Sequence, residues 1–96
     1  MTEITLVSKQ SRPLRPLVEA ALANELKLVR AAIRQTEERL REFEARYEMA
    51  TDDFMRRFEN DELIETLDFV DWIGEYRLLS HLQEKAETYQ GIEFEN

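Results

Sequence analysis

The sequence has no cysteine, and it has only two glycines and two prolines among 96 residues. Without cysteine, a disulfide framework and a thiolate metal site are both excluded. So few turn-forming residues argue against an all-β fold, and the composition is typical of long helices. No apolar run approaches the roughly 20 residues that span a bilayer, and residues 1–10 lack the apolar core of a secretory signal. We therefore expect a cytoplasmic protein.

The charge balance is acidic, with a net charge of −8. This argues against duplex-DNA binding, because affinity for phosphates comes mostly from Lys and Arg. Apolar residues make up 43% of the chain, which is too high for a disordered protein. A chain of this length forms one domain, residues 1–96, and its core is thin unless a partner shares it.

A long first helix is predicted over residues 17–49, after an extended arm at residues 1–16 that includes a β-leaning piece at 3–7. Pro13 and Pro16 lie where proline is tolerated at a helix start. The apolar residues then alternate in steps of four and three, a heptad pattern with Thr36 in the one vacant position. We assign this seam to self-association: Leu22, Leu26, Val29, Ile33, Leu40, Phe43 and Tyr47.

Two further helices are predicted. The first is short, covers residues 52–59 and begins with Thr51 as an N-cap hydroxyl. The second covers residues 61–90 and ends at Gly91, and the tail at residues 91–96 can dock back as extended chain. The last helix is apolar on two sides, which calls for more than one neighbour. Leu63, Leu67, Val70 and Leu78 point one way, and Phe69, Trp72, Ile73 and Tyr76 point another.

The fold predicted from these patterns is all-α. It is a long antiparallel helical hairpin with a short bridging helix and an extended N-terminal arm, which dimerises into a helical bundle. Gly74 lies inside the last helix at a cost of about 1 kcal/mol against alanine. Either a neighbouring helix approaches closely there or the helix bends.

An acidic run is the first candidate for function, since seven acids and no Lys or Arg lie between residues 59 and 75. Such a run can attract a basic partner, or it can simply solvate the surface. Aromatic residues within it can anchor a partner, or they can belong to the core. The residues assigned to partner binding are Asp68, Asp71, Trp72, Glu75 and Tyr76.

A magnesium-dependent nucleotide hydrolase is one alternative. Glu62 and Glu65, with Glu84 and Glu87, are spaced like the carboxylate pairs of all-α nucleotide pyrophosphatases. On one helix the two pairs lie about 33 Å apart, too far to share a metal within one chain. The single histidine, His81, has no catalytic context. We predict no catalytic residue, no metal, no cofactor and no enzymatic activity.

A small DNA-binding autorepressor is another alternative. The N-terminal arm holds Lys9, Arg12 and Arg15 against the single acid Glu3. Paired across a dimer, such an arm can enter a DNA groove. Three basic residues are few, however, and the following helix is about twice too long for a ribbon-helix-helix protein.

Three segments resemble a family of short, all-helical prokaryotic proteins encoded beside TumE-type toxins. They are FENDELIETLDFVDWIGEYR at residues 58–77, AAIRQTEERL at 31–40 and GIEF at 91–94. The resemblance implies an antitoxin that binds and neutralises a cognate small toxin protein. It assigns no role to any individual residue, so the candidate binding residues rest on the patterns above.

Overall fold

The computed structural model describes residues 2–4 and 14–94 of the chain. The described part is a long helical hairpin with a short bridging helix, as the sequence predicted, and it measures 61 × 22 × 18 Å. Its all-α character is therefore confirmed. The elements in order are β1 (Thr2–Ile4), α1 (Arg15–Tyr47), α2 (Thr51–Glu59), α3 (Leu67–Gln90) and β2 (Ile92–Phe94).

Helix α1 lies two residues earlier in the chain than predicted at both ends. It begins at Arg15, so that Pro16 occupies the first turn, where a missing amide costs nothing. It ends at Tyr47 because Glu48 adopts the left-handed conformation, with φ of 50°. The amide of Glu48 then donates to the carbonyl oxygen of Glu44 and closes the helix end.

Helix α2 begins at Thr51, and Ala50 is the N-cap residue. The predicted role of Thr51 as an N-cap hydroxyl is therefore wrong. A carboxylate takes that role instead, because the backbone amide of Thr51 donates to Oε2 of Glu44 at 2.7 Å. Asp52 and Asp53 lie in the first turn, where the helix dipole favours negative charge.

The predicted last helix, residues 61–90, is wrong at its beginning, since α3 starts at Leu67. The backbone of Asp61 turns into the left-handed region, with φ of 56°, and this stops a continuous helix. Thr66 is extended, and its hydroxyl accepts a hydrogen bond from the amide of Phe69 at 3.1 Å. Thr66 is thus an effective N-cap that fixes where α3 begins.

Helices α1 and α3 are antiparallel, and two ion pairs show their register. Arg39 pairs with Glu75 at 3.3 Å, and Arg46 pairs with Asp68 at 3.0 Å. The later residue of α1 meets the earlier residue of α3, so the chains of the two helices run in opposite directions. Each pair lies seven residues, or two helical turns, from the other.

The two strands form a parallel pair in which Thr2 lies opposite Ile92 and Ile4 lies opposite Phe94. The prediction that the tail docks back as extended chain is confirmed by this pairing. The predicted β-leaning piece at residues 3–7 lies partly here, and its residues 5–7 fall outside the described residues. Because β2 follows directly after α3, the strand pair lies at the end of the hairpin away from α2.

The core lies where α2 packs into the hairpin. Phe54 and Trp72 are fully buried, and Leu40 and Ile73 join them in one cluster. Half-buried side chains from all three helices and from the two segments between them pack around this cluster. They are Phe43, Tyr47, Met49, Met55, Phe58, Leu63, Phe69, Tyr76 and Leu79.

Candidate protein-interaction surface

Trp72 is the centre of an aromatic cluster and is not available to a partner. Its side chain is 0% exposed, and its ring stacks on Phe54 with centroids 3.9 Å apart. Phe43 and Tyr47 from α1 stack on it as well, at 5.5 and 5.8 Å. Assigning Trp72 to partner binding is therefore wrong, because helices α1 and α2 cover the ring completely.

The polar edge of Trp72 is also satisfied within the chain. Its Nε1–H donates to the hydroxyl oxygen of Thr51 at 3.1 Å. A buried indole N–H needs such a partner, since leaving it unpaired costs free energy. Tyr76, the second aromatic residue assigned to a partner, is half-buried and packs against the same core. The aromatic side chains of α3 thus mainly hold the three helices together.

Two of the three acids predicted to face a partner are engaged by α1 instead. Glu75 accepts from Arg39 and Asp68 accepts from Arg46. Their charges are compensated inside the hairpin, and a basic partner would have to compete with these arginines. Of the three acids assigned to partner binding, only Asp71 forms no ion pair within the described residues, so the three do not form one uncompensated acidic surface.

Asp68 is held by a second donor. The hydroxyl of Tyr47 donates to Oδ2 of Asp68, and Arg46 donates to the same oxygen. The hydrogen bond from Tyr47, followed by that from Arg46, lowers the pKa of Asp68 below its ordinary value. The same bond to Asp68 is the largest cause of the raised pKa of Tyr47. This trio ties the end of α1 to the start of α3.

Gly74 lies at the side of α3 that faces away from the core. Beyond the backbone of its own helix, no described atom lies within 4 Å of where a Cβ atom on Gly74 would be. Of the two predicted alternatives, a close approach by another helix is therefore not found among the described residues. A shallow groove runs along this side of α3 and is shared with α1. Its lining residues are Arg39, Glu42, Phe43, Val70, Asp71, Gly74 and Glu75.

The most exposed apolar side chains lie just before and at the start of α3. Residues 60–66 form what we call the connecting segment between α2 and α3. Ile64 is 83% exposed and Leu67 is 85% exposed. Glu62 and Glu65 beside them are exposed and form no ion pair within residues 2–4 and 14–94. Two strongly exposed apolar side chains three residues apart, close in sequence to two carboxylates, make this part of the chain the candidate protein-interaction site.

The connecting segment is fixed although it has no regular secondary structure. The amide of Glu62 donates to the carbonyl oxygen of Arg57 at 2.9 Å, and Thr66 caps α3 at the other end. Between them, the side chain of Leu63 packs against the core. Ile64 is thus presented to solvent by a backbone that is held on both sides.

The heptad seam of α1 is confirmed as an apolar face, but it packs within the chain. Val29 and Leu40 are buried, and Phe43 and Tyr47 contact the core that α3 contributes to. The same side chains cannot pack against two partners at once. Helix α3 therefore occupies the seam that we assigned to self-association. Leu22, Leu26 and Ile33 are half-buried, as are Phe43 and Tyr47.

Thr36, the polar residue of the seam, is 1% exposed. Its hydroxyl donates to the carbonyl oxygen of Ala32 at 2.8 Å, one turn earlier in α1. The hydroxyl is thus satisfied locally and makes no bond to another helix.

The carboxylate pairs considered for magnesium do not converge. Glu62 and Glu65 lie in the connecting segment rather than on a helix, while Glu84 and Glu87 are exposed on α3. Within the described residues, no group of three or more His, Cys, Asp or Glu side chains is placed to hold a metal ion. His81 is exposed.

The basic arm considered for DNA lies mostly outside the described residues, which include neither Lys9 nor Arg12. Arg15 is the first residue of α1, and its Nε donates to Glu19 at 2.6 Å. This side chain therefore engages its own helix.

Sequence reasoning missed several residues that define the surface. Arg39 and Arg46 are seven apart, as are Asp68 and Glu75, so matched heptad spacing on the two helices could have revealed the interhelical pairs. Thr66 is an N-cap residue type that precedes an acid two positions later, a usable start signal. No local pattern indicates the exposure of Ile64.

Comparison of the chain with models of protein families, with curated proteins and with solved structures gives no match. Among the helices that the structure describes, none combines the length and the apolar character that crossing a membrane requires.

Proposed function

We propose that this chain is an antitoxin-like protein that binds a small basic toxin and neutralises it, acting by binding rather than by catalysis. The observation that carries the proposal is the exposure of Ile64 in the fixed connecting segment and of Leu67 directly after it. Glu62 and Glu65 lie beside them and form no ion pair among the residues that the structure describes. The toxin as the partner is suggested by the resemblance of residues 58–77, which include this whole segment.

The charge of the segment defines the chemistry of the partner. No Lys or Arg lies between Arg57 and Arg77, and Glu59, Asp61, Glu62 and Glu65 are all exposed. A partner surface with Lys or Arg around an apolar pocket complements this arrangement. The carboxylates then accelerate the encounter, and the two apolar side chains slow dissociation once they are buried.

The fixed backbone of the segment favours tight binding. Association costs the free energy of ordering the loops and side chains that form the interface. Much of this ordering is already present in the free chain. The amide of Glu62 is hydrogen-bonded, Leu63 packs against the core and Thr66 caps α3, so less free energy is lost when a partner binds.

Co-expression of the chain with the protein encoded beside it, followed by co-purification, tests the partner. Ile64→Ser with Leu67→Ser is expected to raise the dissociation rate at least about tenfold, as loss of a buried apolar anchor does. Glu62→Gln with Glu65→Gln is expected to lower the association rate at low salt, with little effect at high salt.

A matched control uses apolar residues that are exposed elsewhere. Leu17 and Leu28 on α1 are 62% and 58% exposed, and Leu17→Ser with Leu28→Ser should leave both rates unchanged. Equal effects of the two serine pairs would show that the connecting segment has no special role. Failure of the neighbouring protein to co-purify at all would contradict the antitoxin proposal.

A further inference from the structure

The main chain of the connecting segment has open hydrogen-bonding groups. At one end, the amide of Glu62 donates to the carbonyl oxygen of Arg57, and at the other end the carbonyl oxygen of Thr66 accepts from the amide of Val70. Between these ends, the amides and carbonyl oxygens of residues 63–65 form no hydrogen bond with any residue that the structure describes. Each of these residues carries one N–H donor and one C=O acceptor, so the stretch offers a partner a row of main-chain groups.

The backbone of this stretch is extended. The chain bends at Leu63 and then runs without a helix, turn or further bend through residues 64–66, none of which has a positive φ. Thr66 has φ of −128° and ψ of 165°, which lies in the β region. Neighbouring side chains also point to opposite sides, because Leu63 packs against the core while Ile64 is exposed. A partner thus meets a short strand-like piece of main chain rather than a helix.

Burial of Ile64 in an interface places a requirement on the partner. An interface that covers this side chain, which is 83% exposed in the free chain, also removes water from the amide and carbonyl groups on either side of it. A buried main-chain group without a hydrogen bond costs free energy comparable to a lost hydrogen bond. The partner therefore has to supply acceptors for the N–H groups as well as donors for the C=O groups.

Basic side chains on the partner meet only part of this requirement. Lys and Arg donate hydrogen bonds but accept none. They can pair with Glu62 and Glu65 and can donate to a carbonyl oxygen, but they offer no acceptor to an N–H group. The acceptors that a surface rich in Lys and Arg always retains are its own main-chain carbonyl oxygens. The edge of a β-sheet presents such oxygens in a row together with amides, in the arrangement that an extended chain can pair with.

We propose, building on the function proposed above, that the partner binds the connecting segment by β-strand addition, with residues 63–66 paired to an edge strand of the partner's sheet. Main-chain hydrogen bonds then hold the segment, and Ile64 enters an apolar pocket beside the edge strand. Glu62 and Glu65 meet basic side chains that flank it. The pairing ends at Leu67, because α3 begins there and the main chain turns into the helix.

Amide hydrogen exchange tests the pairing, with the full chain labelled with ¹⁵N and measured by NMR both alone and bound to the protein encoded beside it. Alone, the amides of residues 63–66 are expected to exchange fast. In the complex, exchange is expected to slow about tenfold or more at alternate residues, since only every second residue of a strand directs its N–H toward a given neighbour. The amides of Asp52 and Asp53, which also lack a hydrogen bond to any described residue, are the control and should exchange equally fast in both states.

Contacts between main-chain protons provide the second measurement. Because paired strands lie about 4.8 Å apart, we expect nuclear Overhauser effects between the main chain of residues 63–66 and one segment of the partner. A complex that Ile64→Ser weakens, but in which these amides exchange as in the free chain, would overturn strand addition and leave the proposed function standing. Equal protection of all four amides without main-chain contacts would overturn it as well. Failure of the neighbouring protein to bind at all would contradict both proposals.

Discussion

The indole Nε1–H of Trp72 donates to the hydroxyl of Thr51, and this single bond joins α3 to the first residue of α2. Both side chains are buried, so water cannot replace either partner. The bond therefore fixes the position of the bridging helix relative to the hairpin, in addition to the packing of Phe54 on the indole ring.

We expect Thr51→Val to destabilise the fold by about 1–3 kcal/mol, because it leaves the buried indole N–H without an acceptor. Thr36→Val is the matched control, since Thr36 is also buried but donates to a carbonyl of its own helix. That carbonyl lies in the regular ladder of α1, so we expect a change below about 1 kcal/mol. Urea unfolding followed by circular dichroism measures both. Equal losses would mean that the Trp72–Thr51 bond contributes nothing.

Asp68 gives the stability of the protein a dependence on acid pH. Its pKa is lower in the folded chain than its ordinary value of 3.8, so folding favours the ionised form. The stabilisation that ionised Asp68 gives the fold is fully present above pH 3.8 and is lost as the pH falls through the lower pKa of Asp68 in the folded chain. We expect Asp68→Asn to flatten the decline in unfolding free energy across this window, as measured by urea unfolding at a series of pH values. Glu65→Gln, which removes an exposed carboxylate without an ion pair, should leave the decline unchanged.

Tyr47 gives the stability of the protein a dependence on alkaline pH. Its pKa is raised in the folded chain above the ordinary value of 10.0, chiefly by the hydrogen bond to Asp68. The stabilisation is thus present below 10.0 and is lost as pH rises through the folded value. Tyr47→Phe should remove this alkaline decline, as measured by urea unfolding at a series of alkaline pH values. The difference between the ultraviolet titrations of wild type and Tyr47→Phe should show that Tyr47 ionises above pH 10.0, and ionisation of Tyr47 at or below that pH would contradict the expectation.

Gly74→Ala tests how much a glycine inside α3 costs the fold. We expect it to stabilise the monomer by up to about 1 kcal/mol, because alanine is favoured in helices and the added methyl meets no neighbour. Thermal unfolding followed by circular dichroism measures the effect. A destabilised monomer would indicate an intrachain contact at this position.

The helical hairpin could be predicted from one sequence because the local spacing of apolar residues indicates the helices. Apolar residues spaced four and three apart from Leu22 to Tyr47 indicate a helix with one apolar face. Phe54 and Phe58, four residues apart, are consistent with a short helix between the two long ones. The beginning of α3 could not be predicted in the same way. Leu63 fits the helical pattern of the following residues, yet Asp61 turns left-handed and Thr66 starts the helix anew.

The candidate surface was the less predictable part, because exposure depends on contacts between distant segments. Asp68 and Glu75 look like free acids until the register of α1 places Arg46 and Arg39 beside them. Trp72 likewise looks like an anchor for a partner until α2 folds over it. What the sequence did indicate correctly is that α3 has two apolar sides, one of which remains uncovered.

The aromatic rings are concentrated at one end of the hairpin, so the side chains pack more tightly at that end than at the other. Around Trp72, aromatic rings from all three helices pack against one another. Near the other end, by contrast, the side chains of Leu22 and Leu26 are only half-buried. Amide hydrogens should therefore exchange slowest near Trp72 and progressively faster toward the strand pair, as the two helices part from that end first. The pairing of β1 with β2 joins the two ends of the chain at the less tightly packed end of the hairpin. We expect this pairing to break before the rest of the structure unfolds.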